Sequence, residues 1–342
     1  MKNRIALLIV FVSIFYSCKP PARESDPLPD LLQSGMFIVN EGNFQSGNGS
    51  VSFYDSSNKV VTQDIFSLKN NRSAGDVCQQ LTYFQNQFYL VVNNSGKIEI
   101  LNNDFVSTKT ITGLTSPRYI AFASNSKGYV TDLHAKGVSI LNTNTQTIEK
   151  KIAINYWTEE LLNYHDTFYV TSPESRYLYL IDSKSESLKD SIDIGYGSSS
   201  IAIDNNHYLW ILCNGNQTLS ILPSIVCINP QNREIIRTIK ATSYSIFASK
   251  INFNSINHSM YWIENDIYKI DTDNHSSTKE LVITASGKTF YGLAVKSSNG
   301  DIVVSDAGDF SQRSTIYIYT KTGLERNSFK AGLISGYFLI KN

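Results

Sequence analysis

Seven short segments with alternating apolar and polar residues recur along the chain, and this repetition constrains the fold more than any other feature. Each segment ends at a polar turn residue, and successive turn residues are 40 to 49 positions apart. A period of 40 to 50 residues with several strands per repeat is typical of a β-propeller. The segments are Val51–Asp55, Ile98–Asn102, Val138–Asn142, Leu178–Asp182, Ile225–Asn229, Ile267–Asp271 and Ile316–Thr320.

The residue pattern within the repeats favours strands and excludes helical repeats. Tyr, Ile, Val, Phe and Thr dominate these segments, and apolar residues alternate with a period of two. The third repeat, for example, divides into four predicted strands. They are Tyr119–Ala123, Gly128–Thr131, Gly137–Leu141 and Ile148–Ile154.

The first repeat offers only three strands, Phe37–Asn40, Ser50–Asp55 and Val60–Phe66, and one strand, Ile334–Ile340, is left over at the end of the chain. A terminal strand that pairs into the first blade closes the ring and protects an exposed edge. The sequence therefore predicts an all-β fold over residues 35–342, a seven-bladed β-propeller closed by the C-terminal strand.

The N-terminal residues have the pattern of an export signal. Lys2 and Arg4 precede the apolar run Ile5–Tyr16, which is too short to span a bilayer as a helix. The sequence Phe15–Cys18 resembles a bacterial lipobox. We expect residues 1–17 to be a lipoprotein signal peptide and Cys18 to carry the lipid; an ordinary signal peptide with an incidental cysteine is the alternative.

Residues 18–34 are predicted to form a tether between the lipid and the propeller. Four of the eight prolines fall here, at Pro20, Pro21, Pro27 and Pro29. Clustered prolines favour extended, semi-rigid chain without ladder hydrogen bonds. We therefore expect an exported protein attached to a membrane through its lipid anchor alone.

Charge and cysteine content exclude some functions. The chain has 30 basic and 30 acidic side chains, so it lacks the basic surplus of most nucleic-acid-binding proteins, and we expect no nucleic-acid partner. The cysteines Cys78, Cys213 and Cys227 do not have metal-ligand spacing. Small buried thiols are the favoured interpretation, with a Cys213–Cys227 disulfide as the alternative.

Propeller topology assigns residues to faces before any chemistry is considered. With strands lettered A to D outward from the axis, the B–C and D–A connections form the face at which most propeller ligands bind. Of the five histidines, His134 alone is predicted on that face; the A–B and C–D turns hold His165, His207, His258 and His275.

No metal site or acid–base centre is predicted from these histidines. The usual catalytic motifs are absent from the sequence. The carboxylates of Asp306, Asp309 and Glu41 are interpreted as turn formers rather than calcium ligands. We therefore expect neither enzymatic activity nor a cofactor.

The predicted ligand face combines long polar loops with aromatic residues. Three connections are long, residues 40–49, 214–224 and 306–314. Rings supply contact area and amides or charges fix orientation, so this face suits a large ligand with polar edges. The alternative is that these rings only fill gaps between blades. The aromatic residues of the D–A connections are Tyr156, Trp157, Tyr196, Tyr244, Phe290 and Tyr291.

Several motifs resemble those of the YncE-like propeller lipoproteins of Bacteroidota-type outer membranes. The sequence is also similar to the vitamin B12-capturing BtuG branch of that family. The resemblance implies a lipoprotein of the outer membrane, on the cell surface or on the periplasmic face, that captures a corrinoid and passes it to a TonB-dependent transporter. The motifs are Gly35–Asn43, Gly75–Val77, Val92–Glu99, Thr115–Tyr119, Tyr129–Asp132 and Trp157–Glu160.

We accordingly predict one ligand site at the mouth of the propeller. Aromatic residues would stack on the ligand, and Asn and Arg would pair with amide or phosphate groups. The alternative function is a protein-interaction or envelope scaffold that uses the same face; a propeller enzyme is a third. The candidate ligand-binding residues are Asn40, Glu41, Asn43, Phe44, Arg118, Tyr119, Asp132, His134, Tyr156, Trp157, Tyr196, Tyr244 and Tyr291.

Overall fold

A computed structural model describes residues 35–341 apart from 124–125, 243, 245–247 and 275–277. The predicted signal peptide, Cys18 and the tether lie outside the described residues. Within them, the chain forms 28 strands and one short helix. In this part of the chain, no helix has the length and apolar character needed to cross a bilayer.

The strands form seven four-stranded antiparallel sheets, the blades, which confirms the predicted seven-bladed propeller. Blade 1 consists of β1 (Gly35–Asn40), β2 (Ser50–Asp55), β3 (Val60–Thr62) and the last strand of the chain, β28 (Ser335–Lys341). Blade 2 consists of β4 (Cys78–Phe84), β5 (Gln87–Val92), β6 (Lys97–Leu101) and β7 (Ser107–Ile111). Blade 3 consists of β8 (Pro117–Phe122), β9 (Lys127–Asp132), β10 (Gly137–Asn142) and β11 (Thr147–Ala153).

The other four blades repeat this order from the axis outward. Blade 4 consists of β12 (Leu161–Tyr164), β13 (Thr167–Val170), β14 (Tyr177–Asp182) and β15 (Ser187–Asp193). Blade 5 consists of β16 (Ser198–Ile203), β17 (Leu209–Cys213), β18 (Ser224–Ile228) and β19 (Ile235–Lys240). Blade 6 consists of β20 (Ala248–Asn254), β21 (Ser259–Glu264), β22 (Asp266–Asp271) and β23 (Glu280–Ile283). Blade 7 consists of β24 (Phe290–Val295), β25 (Ile302–Asp306), β26 (Arg313–Tyr319) and β27 (Glu325–Leu333).

The C-terminal strand closes the ring as the sequence predicted. Strand β28 is the innermost strand of blade 1 and pairs antiparallel with β1, from Gly35 opposite Lys341 to Asn40 opposite Ser335. This pairing satisfies the inner backbone edge of β1, which would otherwise face the channel. Blade 1 therefore joins the two ends of the propeller.

One predicted strand is too long. Strand β3 ends at Thr62, and the residues expected to continue it form the helix α1 (Ile65–Asn70) instead. Asp64 adopts left-handed backbone angles and its carboxylate accepts a hydrogen bond from the Ser67 amide at 3.3 Å, which starts the helix. The apolar pair that suggested a strand, Ile65 and Phe66, is buried in the interface between blades 1 and 2.

Apolar side chains fill each interface between neighbouring blades. The described residues form seven such clusters, each drawn mainly from two adjacent blades. Between blades 1 and 2, the ring of Phe37 lies 4.9 Å from Phe53, 5.0 Å from Phe88 and 5.4 Å from Phe105, measured between centroids. Such pairs stabilise a core by about 0.5–1.5 kcal/mol each beyond their burial.

The three cysteines of the propeller are buried thiols. Cys213 lies opposite Ser224 and Cys227 lies opposite Trp210, so the two cysteines on neighbouring strands are out of register. They also face different clusters, because Cys213 packs between blades 4 and 5 and Cys227 between blades 5 and 6. This geometry excludes the alternative of a Cys213–Cys227 disulfide.

β-Bulges in the inner strands orient the residues of the channel. Register shifts occur in β4, β8, β16, β20 and β24 near the start of each strand. A bulge interrupts the regular alternation of side chains, so two consecutive residues reach the same space. Gln79 and Gln80 of β4, and Ser199 and Ser200 of β16, each line the channel at successive depths.

Candidate functional site

The seven inner strands enclose two cavities at different levels of the central channel. The outer level, the mouth cavity, has a volume of about 330 Å³ and lies on the face of the B–C and D–A connections. The inner cavity beneath it has a volume of about 210 Å³, and Tyr119 and Lys250 line both levels. The mouth cavity falls within the range of small-ligand sites, which begins at about 300 Å³.

The structure places five of the predicted site residues in the mouth cavity and adds six that the sequence analysis did not name. The predicted residues are Glu41, Arg118, Tyr119, Trp157 and Tyr291. The additional residues are Gln79, Glu159, Pro173, Ser199, Asn214 and Lys250.

Arg118 is held by a network of three side chains. Its Nε and Nη2 donate to the two oxygens of Glu159 at 2.8 and 2.6 Å, and its Nη1 donates to Oε1 of Gln79 at 2.5 Å. The indole Nε1 of Trp157 donates to the same carboxylate at 2.7 Å. Burial opposes the charge of Arg118, but the Glu159 carboxylate overcomes this effect and raises the pKa of the guanidinium.

This ion pair changes the role that we expected for Arg118. A bidentate guanidinium–carboxylate pair is directional, and its hydrogen bonds fix both side chains at the cavity wall. Because Glu159 also holds the Trp157 indole, the three side chains form one preorganised wall. Arg118 is therefore already neutralised before any ligand enters.

Lys250 forms the floor of the mouth cavity. Its Nζ donates to Tyr119 Oη and to Glu160 Oε1, both at 2.7 Å. Glu160 Oε2 in turn accepts from Ser200 Oγ at 2.8 Å and from the Ile201 amide at 3.1 Å. The carboxylate thus connects three neighbouring inner strands across the channel.

The protonation states of Lys250 and Tyr119 follow from their burial and from the groups that they contact. Burial lowers the pKa of Lys250, but the Glu160 carboxylate overcomes burial and raises it well above the ordinary lysine value. Burial raises the pKa of Tyr119. Lys250 is therefore an ammonium and Tyr119 a phenol at neutral pH, so neither group is suited to act as a base or nucleophile there.

Glu41 lies on the opposite wall and depends on a glycine for its position. Its Oε1 accepts from Tyr291 Oη at 2.9 Å. A Cβ atom on Gly336 would lie 2.5 Å from this oxygen and 3.1 Å from the Tyr291 ring. Position 336 of β28 must therefore be glycine to leave room for the Glu41 carboxylate. Burial is the main cause of a raised Glu41 pKa.

Asn214 contributes an amide to the wall formed by blade 5. Its Nδ2 donates to Ser199 Oγ at 3.1 Å. Its Oδ1 is buried and has no hydrogen-bond partner among the described residues. An unpaired buried carbonyl is uncommon and costs about 1–3 kcal/mol, so this side of the cavity retains an unmet hydrogen-bond acceptor.

Three predicted site residues have structural contacts outside the mouth cavity. Asn40 is fully buried and hydrogen-bonded to Ser52 and Ser335 within blade 1 and to Gly332 of β27. Asp132 is buried and accepts from the amides of Ser116, His134 and Ala135, which forms the turn after β9. His134 itself is exposed in that turn.

The remaining predicted residues lie on loops of the same face, around the cavity rather than in it. Asn43 donates to the Phe310 carbonyl at 3.0 Å, and the Phe44 side chain is exposed. Tyr156 is also exposed, Tyr196 is half-buried with the Arg176 guanidinium 5.8 Å from its ring, and Tyr244 is half-buried.

The structure also places the other polar residues that were considered for catalysis. His165, His207 and His258 lie in turns between first and second strands, on the face opposite the mouth, as predicted; His275 lies outside the described residues. Asp306 and Asp309 accept hydrogen bonds from nearby amides as turn formers do. Across the described ranges, no group of three or more His, Cys, Asp or Glu side chains is arranged to hold a metal ion.

Solved structures share this fold at low sequence identity. A quinonprotein alcohol dehydrogenase-like protein from Bacteroides thetaiotaomicron has a TM-score of 0.74 at 14% identity, with 92% of this chain and 80% of that chain covered. The periplasmic gluconolactonase of Pseudomonas aeruginosa has a TM-score of 0.68 at 10% identity, covering 90% and 99%. A protein from Lactobacillus plantarum has a TM-score of 0.66 at 14% identity, also covering 90% and 99%.

Identities this low support the propeller fold and not a function, because one fold serves both enzymes and binding proteins. The narrower resemblance to the YncE-like lipoproteins and the BtuG branch stays a prediction. No curated protein matches the sequence. A family model described as "Domain of unknown function (DUF5074)" matches residues 34–331. The chain therefore belongs to the DUF5074 family.

Proposed function

We propose that this propeller is a non-catalytic binding protein that captures a small ligand in its mouth cavity. The observation that carries the proposal is a cavity of about 330 Å³ whose charged and aromatic side chains are fixed in advance by mutual hydrogen bonds. Side chains that are ordered before binding lose little entropy when a ligand arrives. Such a cavity supports selective capture with few contacts.

The chemistry of the floor favours binding over turnover. Lys250 and Tyr119 are hydrogen-bonded to each other in their protonated forms. A general base needs a pKa near the working pH, and these groups are displaced from it. The proposal therefore assigns positioning roles to both residues.

A corrinoid is the specific ligand implied by the resemblance to the BtuG branch. The mouth cavity is at the lower end of the volume range for small-ligand sites. A corrinoid would insert one edge there and extend over the surrounding loops, where Phe44, Tyr156 and Tyr196 lie. Arg118 would bind its phosphate only at the expense of the Glu159 ion pair.

The corrinoid version of the proposal also includes attachment of the propeller to the membrane and delivery of the ligand to a transporter. A lipid on Cys18 would hold the propeller at the outer membrane, and a TonB-dependent transporter would receive the ligand from the mouth face. Both steps rest on the sequence pattern and the resemblance.

A protein-interaction scaffold is the second candidate function, and one surface observation favours it. Three large apolar side chains are exposed on B–C connections of the mouth face: Phe44 at 66%, Leu219 at 52% and Phe310 at 41%. Apolar side chains presented on loops around a rigid body are typical of protein contact surfaces. The same residues would also serve a ligand-capture protein that docks on a transporter.

Isothermal titration with cyanocobalamin, together with ligand-observed NMR on a metabolite mixture, tests the proposal. We expect binding that is weakened in Trp157→Ala and unchanged in Ile235→Ala, since Ile235 is exposed on the outer strand β19. Tyr196→Ala tests contact with the surrounding loops, because Tyr196 lies outside the cavity; it should weaken binding only if the ligand reaches those loops. Absence of cyanocobalamin binding excludes the corrinoid version. If no ligand is found whose binding is weakened by Trp157→Ala, capture in the mouth cavity is contradicted.

A further inference from the structure

Four charged side chains line the mouth cavity, and their pairing is unequal. Arg118 is ion-paired to Glu159 at 2.6 Å, and Lys250 is ion-paired at 2.7 Å to Glu160 in the level below. Within the described part of the chain, Glu41 makes no ion pair, and its Oε1 accepts from the neutral hydroxyl of Tyr291. When these groups are all ionised, Glu41 is the carboxylate without a paired cation.

The position of this carboxylate is fixed by the backbone around it. The Glu41 amide donates to the Ile334 carbonyl at 2.9 Å, which connects the end of β1 to the β27–β28 turn. Gly336 leaves the space in which Oε1 lies, and Tyr291 holds that oxygen from β24. Glu41 is therefore presented to the cavity by three separate parts of the fold.

We propose that the mouth cavity selects ligands that carry a protonated amine, with Glu41 as the counter-ion and the aromatic walls holding the flat or apolar body of the ligand. A half-buried carboxylate without a cation is costly, and a ligand ammonium supplies the missing partner through a charge-assisted hydrogen bond. The rings of Tyr119, Trp157 and Tyr291 line the same cavity and offer faces to the rest of the molecule. This inference rests on the proposed capture function and specifies its ligand chemistry.

The electrostatic surroundings of Glu41 agree with this selection. Burial raises its pKa, Arg118 of β8, Tyr291 of β24 and Lys250 of β20 lower it, and Glu159 before β12 raises it. A bound ammonium would lower this raised pKa, so binding is coupled to loss of the Glu41 proton. Affinity for an amine is therefore expected to fall as the pH decreases through the Glu41 pKa.

Three probes with the same phenol ring test the inference directly. Tyramine carries an ammonium, 4-propylphenol replaces it with a methyl group, and 3-(4-hydroxyphenyl)propionate carries a carboxylate. We expect tyramine to bind at least about tenfold more tightly than either of the others, as one charge-assisted hydrogen bond to the half-buried Glu41 predicts.

Two matched variants locate the effect. Glu41→Gln keeps the size of the side chain and its acceptor for Tyr291 but removes the charge, so the preference for tyramine should disappear. Glu174→Gln removes an exposed carboxylate from the same face outside the cavity lining, and the preference should remain. Thermal melts of both variants verify that the propeller is intact.

Three results overturn the inference. The first is tighter or equal binding of 4-propylphenol or the propionate, which leaves capture in the mouth supported. The second is an unchanged tyramine preference in Glu41→Gln. The third is no binding of tyramine at millimolar concentration. If the metabolite mixture nevertheless yields a ligand sensitive to Trp157→Ala, only the amine selectivity is wrong; if it yields none, the proposed function fails with it.

Discussion

Ser335 Oγ donates a hydrogen bond to Asn40 Oδ1 at 2.7 Å, although the two residues are 295 positions apart in the sequence. The Gly332 amide donates to the same oxygen at 3.1 Å, and Asn40 Nδ2 donates to Ser52 Oγ at 3.1 Å. One buried amide therefore connects the first two strands of the chain to its last two strands, β27 and β28. We predicted Asn40 as a ligand contact, and the structure places it in the ring closure instead.

Replacing Asn40 with Ala should lower the free energy of unfolding by about 2–4 kcal/mol, because it leaves two buried donors, the Gly332 amide and the Ser335 hydroxyl, without this acceptor. Asn43→Ala is the matched control, since Asn43 is on the same connection but donates only at the surface, to the Phe310 carbonyl. Urea unfolding followed by circular dichroism measures both variants. Equal effects of the two substitutions would show that Asn40 does not hold the closure.

Deleting Leu333–Asn342 should cause aggregation or a large decrease in melting temperature. The deletion removes β28, leaves the inner edge of β1 unpaired and exposes the cluster between blades 7 and 1. Size-exclusion chromatography and thermal melts provide the measurement, with deletion of residues 19–33 as the control. A truncated chain that melts like the full-length protein would contradict closure by β28.

Stability should fall in acid partly because of Glu99, whose side chain is completely buried. Burial raises the pKa of Glu99, but hydrogen bonds from Arg72, Lys97 and Ser107 overcome it and lower the pKa from 4.5 to about 2. This stabilising contribution, about 3 kcal/mol, is fully present above pH 4.5 and is lost as the pH falls towards 2.

The Glu99→Gln variant tests this contribution. It should be less stable than the wild-type protein at pH 7, and the difference should shrink between pH 4.5 and 2. Glu149→Gln serves as the control, because that carboxylate pairs with Lys127 at the surface. If the difference in unfolding free energy between Glu99→Gln and the wild-type protein stays constant down to pH 2, the buried ion pairs do not cause the acid sensitivity.

Replacing Cys18 with Ser should release the protein from the membrane fraction, since the lipobox-like sequence predicts a lipid on this cysteine. Fractionation of cells and labelling with a palmitate analogue measure the effect, and Cys78→Ser is the control because Cys78 is buried in the propeller. Unchanged partitioning of the Cys18→Ser protein would refute lipid anchoring there.

The blade count and the ring closure were predictable because they depend on local patterns. The recurring segments, such as Val138–Asn142, are the third strands of the blades, and such a segment recurs because every blade needs the same buried strand between its neighbours. The pair Ile65 and Phe66 misled the prediction because burial requires apolar residues in a helix and in a strand alike.

The site was only partly predictable. Loop topology sufficed to place Glu41 and Trp157 near the channel. It did not identify Lys250 and Glu159. Which side chains reach the axis depends on β-bulges and connections, and the alternation of apolar and polar residues in the sequence does not show where these lie. A sequence signal did exist for Glu159, since it lies two residues after Trp157 and two residues before the inner strand β12.

The bulges also give neighbouring positions in the sequence different tolerance to substitution. Ser199 lines the mouth cavity, whereas Ser200 is almost fully buried and donates to the carboxylate that holds Lys250. Gln79 and Gln80 have the same relationship, because Gln80 accepts from the Ile120 amide at 2.7 Å. A change at the first position of each pair alters what the mouth recognises, while a change at the second loosens the contacts between blades. Ligand preference in such a propeller can therefore diverge one residue at a time without loss of the ring.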